Sequence, residues 1–445
     1  MSLCVLSSDA SVGITEERVR GPRLAEMVRA LRHHNFRLYF FGMFVSFIGT
    51  WMQRVAQSWL VYRLTGSAWW LGVVGFTGQV PVFVLALLGG VLADRYSRYR
   101  LILLTQTLAL VQALVLAVLT LSGHVTVGAV LALALFLGVI NAFDMPARQS
   151  FIVTLVGRED LMNAIALNSS VVNGARILGP ALAGLLVAWL GEGLCFLLNG
   201  MSYLAVLVGL LMMGTINNHG GQPARSAFAS LLEGCHYVSR TRSVRALLLM
   251  LAFVSLFGMP YMVLMPIFAD RILAGGPRAF GVLLGAAGLG ALGGALILAA
   301  RRHVEGLGRV VGRSVATFGV MLVLFSLSRN LFLSAALLVP VGCTLMLQMS
   351  ASNTLLQAMV PDHMRGRVMS FYSLSLLGMA PFGSLCAGVV ATHIGAPETV
   401  ASGGALCLMG ALVYSVGRLP ASTEDFAVPD DDGTESRKEG EKEYS

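Results

Sequence analysis

One arginine, Arg176, stands near the middle of an otherwise apolar run, in the stretch "NGARILGPALAG" from Asn173 to Gly184. A guanidinium at that depth costs roughly 2.5 to 3.5 kcal/mol on insertion scales, so it faces a wet cavity or a polar partner. The chemistry it offers there is recognition of an anionic or carbonyl oxygen. Ser169, Asn173, Arg176 and Pro180 recur at helical spacing and share one stripe. Gly174, Gly179 and Gly184 occupy neighbouring faces, where they admit adjacent helices beside the break at Pro180. In the first apolar run Ser46, Thr50, Gln53, Arg54 and Gln57 form a second polar row. In the tenth, Gln348, Ser352, Asn353 and Gln357 add neutral polar groups. Met259, Met262, Met265, Met346 and Met349 supply a soft wall suited to substrates of varied shape. The expected substrate contacts are therefore Arg176, Asn173, Ser169, Arg54, Gln53, Gln57 and Gln348.

Nothing comparable points to catalysis. His33, His34, His219, His236, His303 and His363 fall in loops or at helix ends, and His124 and His393 near the far boundaries. No carboxylate pair or Ser/His pair is placed inside a span, as an intramembrane enzyme would need. Cys4, Cys195, Cys235, Cys343, Cys386 and Cys407 are scattered without a CxxC pair, so neither a disulfide framework nor a metal site is expected. An enzyme is thus not expected, nor is a catalytic residue.

The elements that must carry these residues are membrane helices. Of 445 residues 56% are hydrophobic and 12% charged, against about 25% charged in soluble domains. About twelve runs are long enough to cross a bilayer, among them 36–61, 125–146, 163–190 and 246–269. The expected fold is an all-α membrane protein of twelve transmembrane helices in two pseudo-symmetric bundles of six. Its parts are an amino-terminal segment over 1–30, bundles over 31–214 and 244–419, a linker over 215–243, and a disordered tail over 420–445. If both termini are cytoplasmic, 25 of the 31 lysines and arginines lie on that side and 4 on the other; Arg54 and Arg176 remain inside spans. The positive-inside rule therefore puts both termini in the cytoplasm. Basic residues spread in this way do not form the single face that nucleic acid needs, so no nucleic-acid partner is expected.

A shift of 204 residues lays Thr154–Gly191 on Ala358–Gly395 without a gap. Gly174, Gly179, Gly184 and Gly191 then coincide with Gly378, Gly383, Gly388 and Gly395. Internal symmetry of this kind marks transporters built from duplicated halves, with the substrate site between them. The counterpart of Arg176 is Ala380, so the scaffold itself does not demand the charge.

The loop after the second span reads "GGVLADRYSRYR", Gly89 to Arg100. It resembles the G-x-L-x-D-R-x-G-R-K/R loop of the major facilitator superfamily, with Ser97 in place of a glycine. "VYRLTGSAWWLG" (Val61–Gly72), "DMPARQSF" (Asp144–Phe151) and "ARILGPALAG" are similar to its drug and siderophore exporter branch, which includes enterobactin exporters and macrolide efflux pumps. The resemblance spans about residues 31–418. It implies the major facilitator fold and a secondary active transporter in the bacterial inner membrane. It also implies export of small amphipathic molecules by alternating access with proton antiport; the alternative is an importer or lipid transporter on the same fold. A monomer among membrane lipids is expected, with a small-molecule substrate, the proton motive force and no cofactor. Asp94 would latch the loop, with Arg98 between Asp94 and Asp144. Gly90, Arg95, Arg148, Gly179 and Pro180 complete the expected gating and coupling set. "GPALAG" also resembles the end of G-x-x-x-G-P-x-x-G-G, the signature of the fifth helix in superfamily antiporters.

Overall fold

In hydrocarbon a chain can satisfy its backbone only as a helix or a closed barrel, and these apolar runs form helices. The computed structural model describes residues 28–157, 159–214, 227–301 and 304–416, apart from the side chains at 86, 87, 93, 94, 173, 177, 227–231 and 362. The expected tail, most of the expected amino-terminal segment and linker positions 215–226 lie outside these residues. The long helices of the first half are α1 (His34–Thr65), α2 (Ala68–Arg95), α3 (Arg98–Leu121), α4 (Val127–Val156), α5 (Leu161–Leu190) and α6 (Glu192–Leu211). Those of the second are α7 (Arg242–Ile272), α8 (Gly276–Ala299), α9 (Leu307–Leu327), α10 (Leu331–Met359), α11 (His363–Ile394) and α12 (Ala396–Val416). Eleven are long and apolar enough to cross a membrane. The twelfth, α1, has the length, at 32 residues, but its polar row dilutes its apolarity. Within each half short turns make successive helices antiparallel, and the contact of Gly184 near the end of α5 with Gly281 near the start of α8 sets the halves the same way up, so residues 28 and 416 lie at one end, called here the terminal end. The other is the distal end.

The halves pack by the same plan. In the first, α1 and α3 lie on α6 and α2 on α4; in the second, α9 lies on α12 and α8 on α10. The halves meet through α2 with α11 and α5 with α8. The repeated glycines do equivalent work. Gly179 lets α5 close on Ile48 and Trp51 of α1, and Gly383 lets α11 close on the Ser255 and Leu256 carbonyls of α7. Gly184 meets Gly281 of α8 backbone to backbone, and Gly388 meets Gly72 of α2. These last contacts seal the distal end, since a Cβ on any of the four would strike backbone. Toward the terminal end α5 opens: Ala183 and Pro180 are buried, while Ser169 and Met162 are exposed.

Two differences from the expected boundaries matter. The fourth span does not stop at 146. Ala147, Phe151, Ile152, Leu155 and Val156 are buried at helical spacing and carry α4 on to Val156, where a count of apolar residues had stopped at the charges. Asp144, expected at a span end, therefore lies about 18 Å inside α4 at 1.5 Å per residue. The second difference is a loss of exact symmetry. α11 contains a π turn at Leu374–Gly378 where its mate α5 is regular, and α7 contains another at Val254–Gly258. The Ser255 hydroxyl donates to the Leu376 carbonyl at 2.6 Å and joins the two turns.

At the terminal end a short 3-10 turn, Arg29–Arg32, clasps the start of α5. Asp160 is shielded there and pairs with Arg29, Arg32 and His33, while the Asn163 side chain accepts the Ala30 amide at 2.8 Å. The His33 hydrogen bond first, and then the Arg29 and Arg32 guanidinia, hold the Asp160 carboxyl below the ordinary 3.8 against an opposing effect of burial. A depressed carboxylate contributes stability above its unfolded value and loses it as pH falls through the folded one. Protease cleavage before residue 34 is expected to rise only below about pH 4, and Asp160→Asn to show the same rise at neutral pH. Equal cleavage of the variant and wild type would contradict this. In the linker, a helix at Ala227–Arg240 docks beneath α11 through Glu233 and Arg367 at 2.7 Å.

Candidate substrate site

The side of α1 that meets Arg176 is not the polar row. Phe47, Trp51 and Arg54 form a face about 100° around the helix from Ser46, Thr50, Gln53 and Gln57. Arg54 is exposed, and its guanidinium lies 5.0 Å from the Trp51 ring centroid. Arg176 of α5 lies 5.4 Å from the same ring. From α11, in the other half, Tyr372 stands within electrostatic range of Arg176, and its hydroxyl donates to the Met349 carbonyl of α10 at 3.2 Å. The Arg176 Nε is buried without a hydrogen-bond partner. Among the described residues no carboxylate pairs with Arg54 or Arg176. Cation–π contact stabilises each guanidinium by about 0.5 to 2 kcal/mol, yet leaves its N–H donors free to bind an oxygen.

The polar row turns inward instead. Gln53 is 1% exposed, donates to Gln112 of α3 at 3.0 Å and accepts from Asn199 of α6 at 2.7 Å. Ser202 donates to Asn199, and Gln112 to the Leu133 carbonyl of α4. Thr50 meets the Tyr203 hydroxyl, and Ser46 is buried. Gln53 is thus a strut of the first bundle, not a wall of the cavity. The reason is physical: neutral amides inside a bundle satisfy one another across helices, which frees the aromatic and cationic face for the cavity. Gln112 and Asn199 were not among the expected residues, although lone amides in apolar spans were the signal. Gln57 stays partly exposed.

Asp144 forms the other charged centre. It is 2% exposed, accepts from Thr105 at 2.7 Å and Gln106 at 3.0 Å, and pairs with Arg148 at 2.7 Å. Arg148 lies 4.9 Å from the Phe47 ring centroid, and it and Arg176 both act electrostatically on Arg54. Charge therefore runs from a buried carboxylate through Arg148 to the two arginines on Trp51. Arg98 does not join this cluster as expected. It donates to the Ser150 carbonyl and to Thr154, bracing the start of α3 on α4. The Asp94 and Asn173 side chains lie outside the described residues. Gly90, expected in the gating and coupling set, has open space around it; Gly89 is the glycine that closes on Ala142 of α4. Arg95 is exposed.

The profile of the transmembrane secretion effector family matches residues 26–437. The chain belongs to that family of major facilitator superfamily transporters. It is 25% identical over 368 residues to the staphyloferrin A transporter of Staphylococcus aureus, covering 82% of this chain and 91% of that one. It is 28% identical to the enterobactin exporter of Shigella flexneri, covering 86% and 92%. Similarity to the multidrug efflux pump Tap of Mycolicibacterium fortuitum is also 28%, covering 86% and 95%. In fold it is similar to the crystal structure of a bacterial homologue of the human lysosomal transporter Spinster, inward-facing and unoccupied, at 15% identity and a TM-score of 0.62, covering 89% and 96%. The nucleoside transporter NupG gives 13% identity and a TM-score of 0.69, covering 86% and 98%. The protein is a multi-pass transporter of the bacterial inner membrane and not an enzyme.

In the second half of this major facilitator transporter the expected contacts are redistributed. Gln348 is 1% exposed, and neither its amide nitrogen nor its oxygen finds a partner among the described residues; Ser352, one turn on, is equally buried. Both face the bundle interior rather than the cavity. Asn353 and Gln357 bond each other on a more exposed face. Tyr372, which no spacing argument singled out, is a residue of this half within electrostatic range of Arg176. Ser169 is exposed on the open stretch of α5, while Gly179 closes on α1 and Pro180 beside it is buried.

Proposed function

We propose that this transporter exports small amphipathic anions, siderophore-like compounds or anionic drugs, by alternating access in exchange for protons, with the terminal end in the cytoplasm. The observation that carries the reading is the Trp51 indole shared by Arg54 and Arg176, neither of which has a carboxylate partner among the described residues. An anion would pair with the two guanidinia, and its apolar body would lie against Trp51, Phe47 and Tyr372. Relatives named as a siderophore transporter, an enterobactin exporter and a drug efflux pump support the direction and the substrate class. Among the described carboxylates Asp144 is the one placed to carry the proton, because it holds Arg148 within electrostatic reach of Arg54. Protonation of Asp144 would release Arg148 toward the cavity and change the affinity for an anion. Each ligand shifts the two states by its difference in affinity between them.

The test uses proteoliposomes with a pH gradient and two dyes, the anion anilinonaphthalene sulfonate and the cation ethidium. Wild type is expected to move the anion against its gradient, and Arg176→Gln to raise its apparent KM about thirty-fold, the equivalent of about 2 kcal/mol. Ethidium movement should not change in the variant. Equal handling of the anion by variant and wild type would remove the anion site. Uptake opposite to export in right-side-out vesicles would favour the importer reading.

A further inference from the structure

The distal ends of the two halves are held by a set of side chains separate from the glycine contacts. Tyr62, near the end of α1, donates its hydroxyl to Asp270 Oδ2 of α7 at 2.9 Å. Arg271 donates through Nη2 to the Gly66 carbonyl at 2.7 Å, and its guanidinium stands 6.0 Å from the Tyr62 ring centroid. Sequence neighbours on a helix ordinarily diverge by about 100°. Here Phe268–Ile272 is a π turn, a feature that recurs at functional sites, and both neighbours reach α1. On the other side, Gly66 ends α1 in the left-handed conformation at φ +58°, which leaves its carbonyl free of the helix. Arg63 does not compete for Asp270, because Glu192 of α6 binds it at 2.8 Å. One turn deeper, Trp59 of α1 stacks on Phe280 of α8 with centroids 5.6 Å apart.

We propose that Tyr62, Asp270 and Arg271 are the gate residues of the distal end: they hold α1 to α7 across the halves, and their separation sets how often that end opens. The proposal goes beyond the transport reading above and needs neither its substrate nor its coupling ion. Every group in the set has its partner on the opposite half, so rigid-body separation of the halves must break all of these bonds together. Charges that merely decorated helix ends would find water or their own half and would be nearly neutral to truncation.

The test measures opening directly. Ala68 is buried where α2 meets Gly388 of α11. Ala68→Cys, in the full chain with its six native cysteines changed to serine, reacts with a membrane-impermeant maleimide at a rate proportional to the open population, even when that population is small. Tyr62→Phe, which keeps the ring, and Asp270→Ala are each expected to raise this rate about ten-fold, the equivalent of one hydrogen bond to a charged group. The double variant should gain no more than the larger single effect, since both remove one bond. Arg271→Ala should add to either. Rates equal to wild type in Tyr62→Phe and Asp270→Ala, or effects of the two that simply multiply, would overturn the proposal.

Discussion

Replacement of Gly184 by leucine is expected to keep the distal end from closing. Gly184 of α5 and Gly281 of α8 meet backbone to backbone, and a Cβ built on either overlaps the other's main chain. No flexible side chain is there to give way, so the strain can be relieved only by moving the halves apart. Overpacking costs about 1 to 3 kcal/mol for modest additions. A leucine against main chain lies at or beyond the top of that range, which is about a hundred-fold shift in the closed-to-open ratio. Maleimide labelling of Ala68→Cys should rise accordingly, and transport should stop while the protein remains in the membrane. Gly388→Leu, at the repeat-related contact with Gly72, should behave in the same way. Gly293→Ala should not, because nothing lies within 4 Å of its Cβ position. If Gly184→Leu labels and transports as wild type does, the distal seal has been assigned to the wrong contact.

Asp144→Ala is expected to be the most destabilising single change in the first bundle. It removes the acceptor of Thr105 and Gln106 and leaves Arg148 as an unpaired charge among buried helices. Removing one partner of a buried ion pair costs about 3 to 5 kcal/mol, because the remaining charge stays desolvated. The melting temperature in detergent should fall by several degrees, and less of the protein should reach the membrane. Asp144→Asn keeps an acceptor and should melt closer to wild type. If Asp144 carries the proton, the asparagine variant should still exchange anion across the membrane but no longer follow the pH gradient. Asp144→Ala combined with Arg148→Ala should recover part of the loss, since the orphaned charge is gone. An unchanged melting temperature in Asp144→Ala would show that Arg148 finds water instead of staying buried.

Three elements show where reading the chain alone succeeded and where it failed. The glycine register between Thr154–Gly191 and Ala358–Gly395 was legible: Gly179 and Gly383 make equivalent contacts within their own halves, and Gly184 and Gly388 make equivalent contacts across the halves. Backbone approach leaves no substitute for glycine, so the constraint is written directly into residue identity. The position of α1's cavity face was not legible. Polar residues were expected to line water, but the amides of Gln53, Gln112 and Asn199 find one another, and the aromatic and cationic face is left for the cleft. Gly90 misled for a similar reason: adjacent glycines look alike in a sequence, and only the rotation of α2 against α4 shows that Gly89 makes the contact.

The chain by itself determined that this is a helical membrane protein of duplicated halves with an arginine set deep in one of them. Hydropathy, charge asymmetry and glycine spacing are local properties that each residue carries wherever it stands. Only the tertiary structure decided which groups share a partner: Arg54 with Arg176 on Trp51, Asp144 with Arg148 and not Arg98, and Tyr62 with Asp270 across the halves. Those pairings depend on helix rotation and depth, and a rotation of one residue, 100°, exchanges a cavity wall for a bundle core. The rotations are set by packing between helices far apart in sequence, where no local pattern records them.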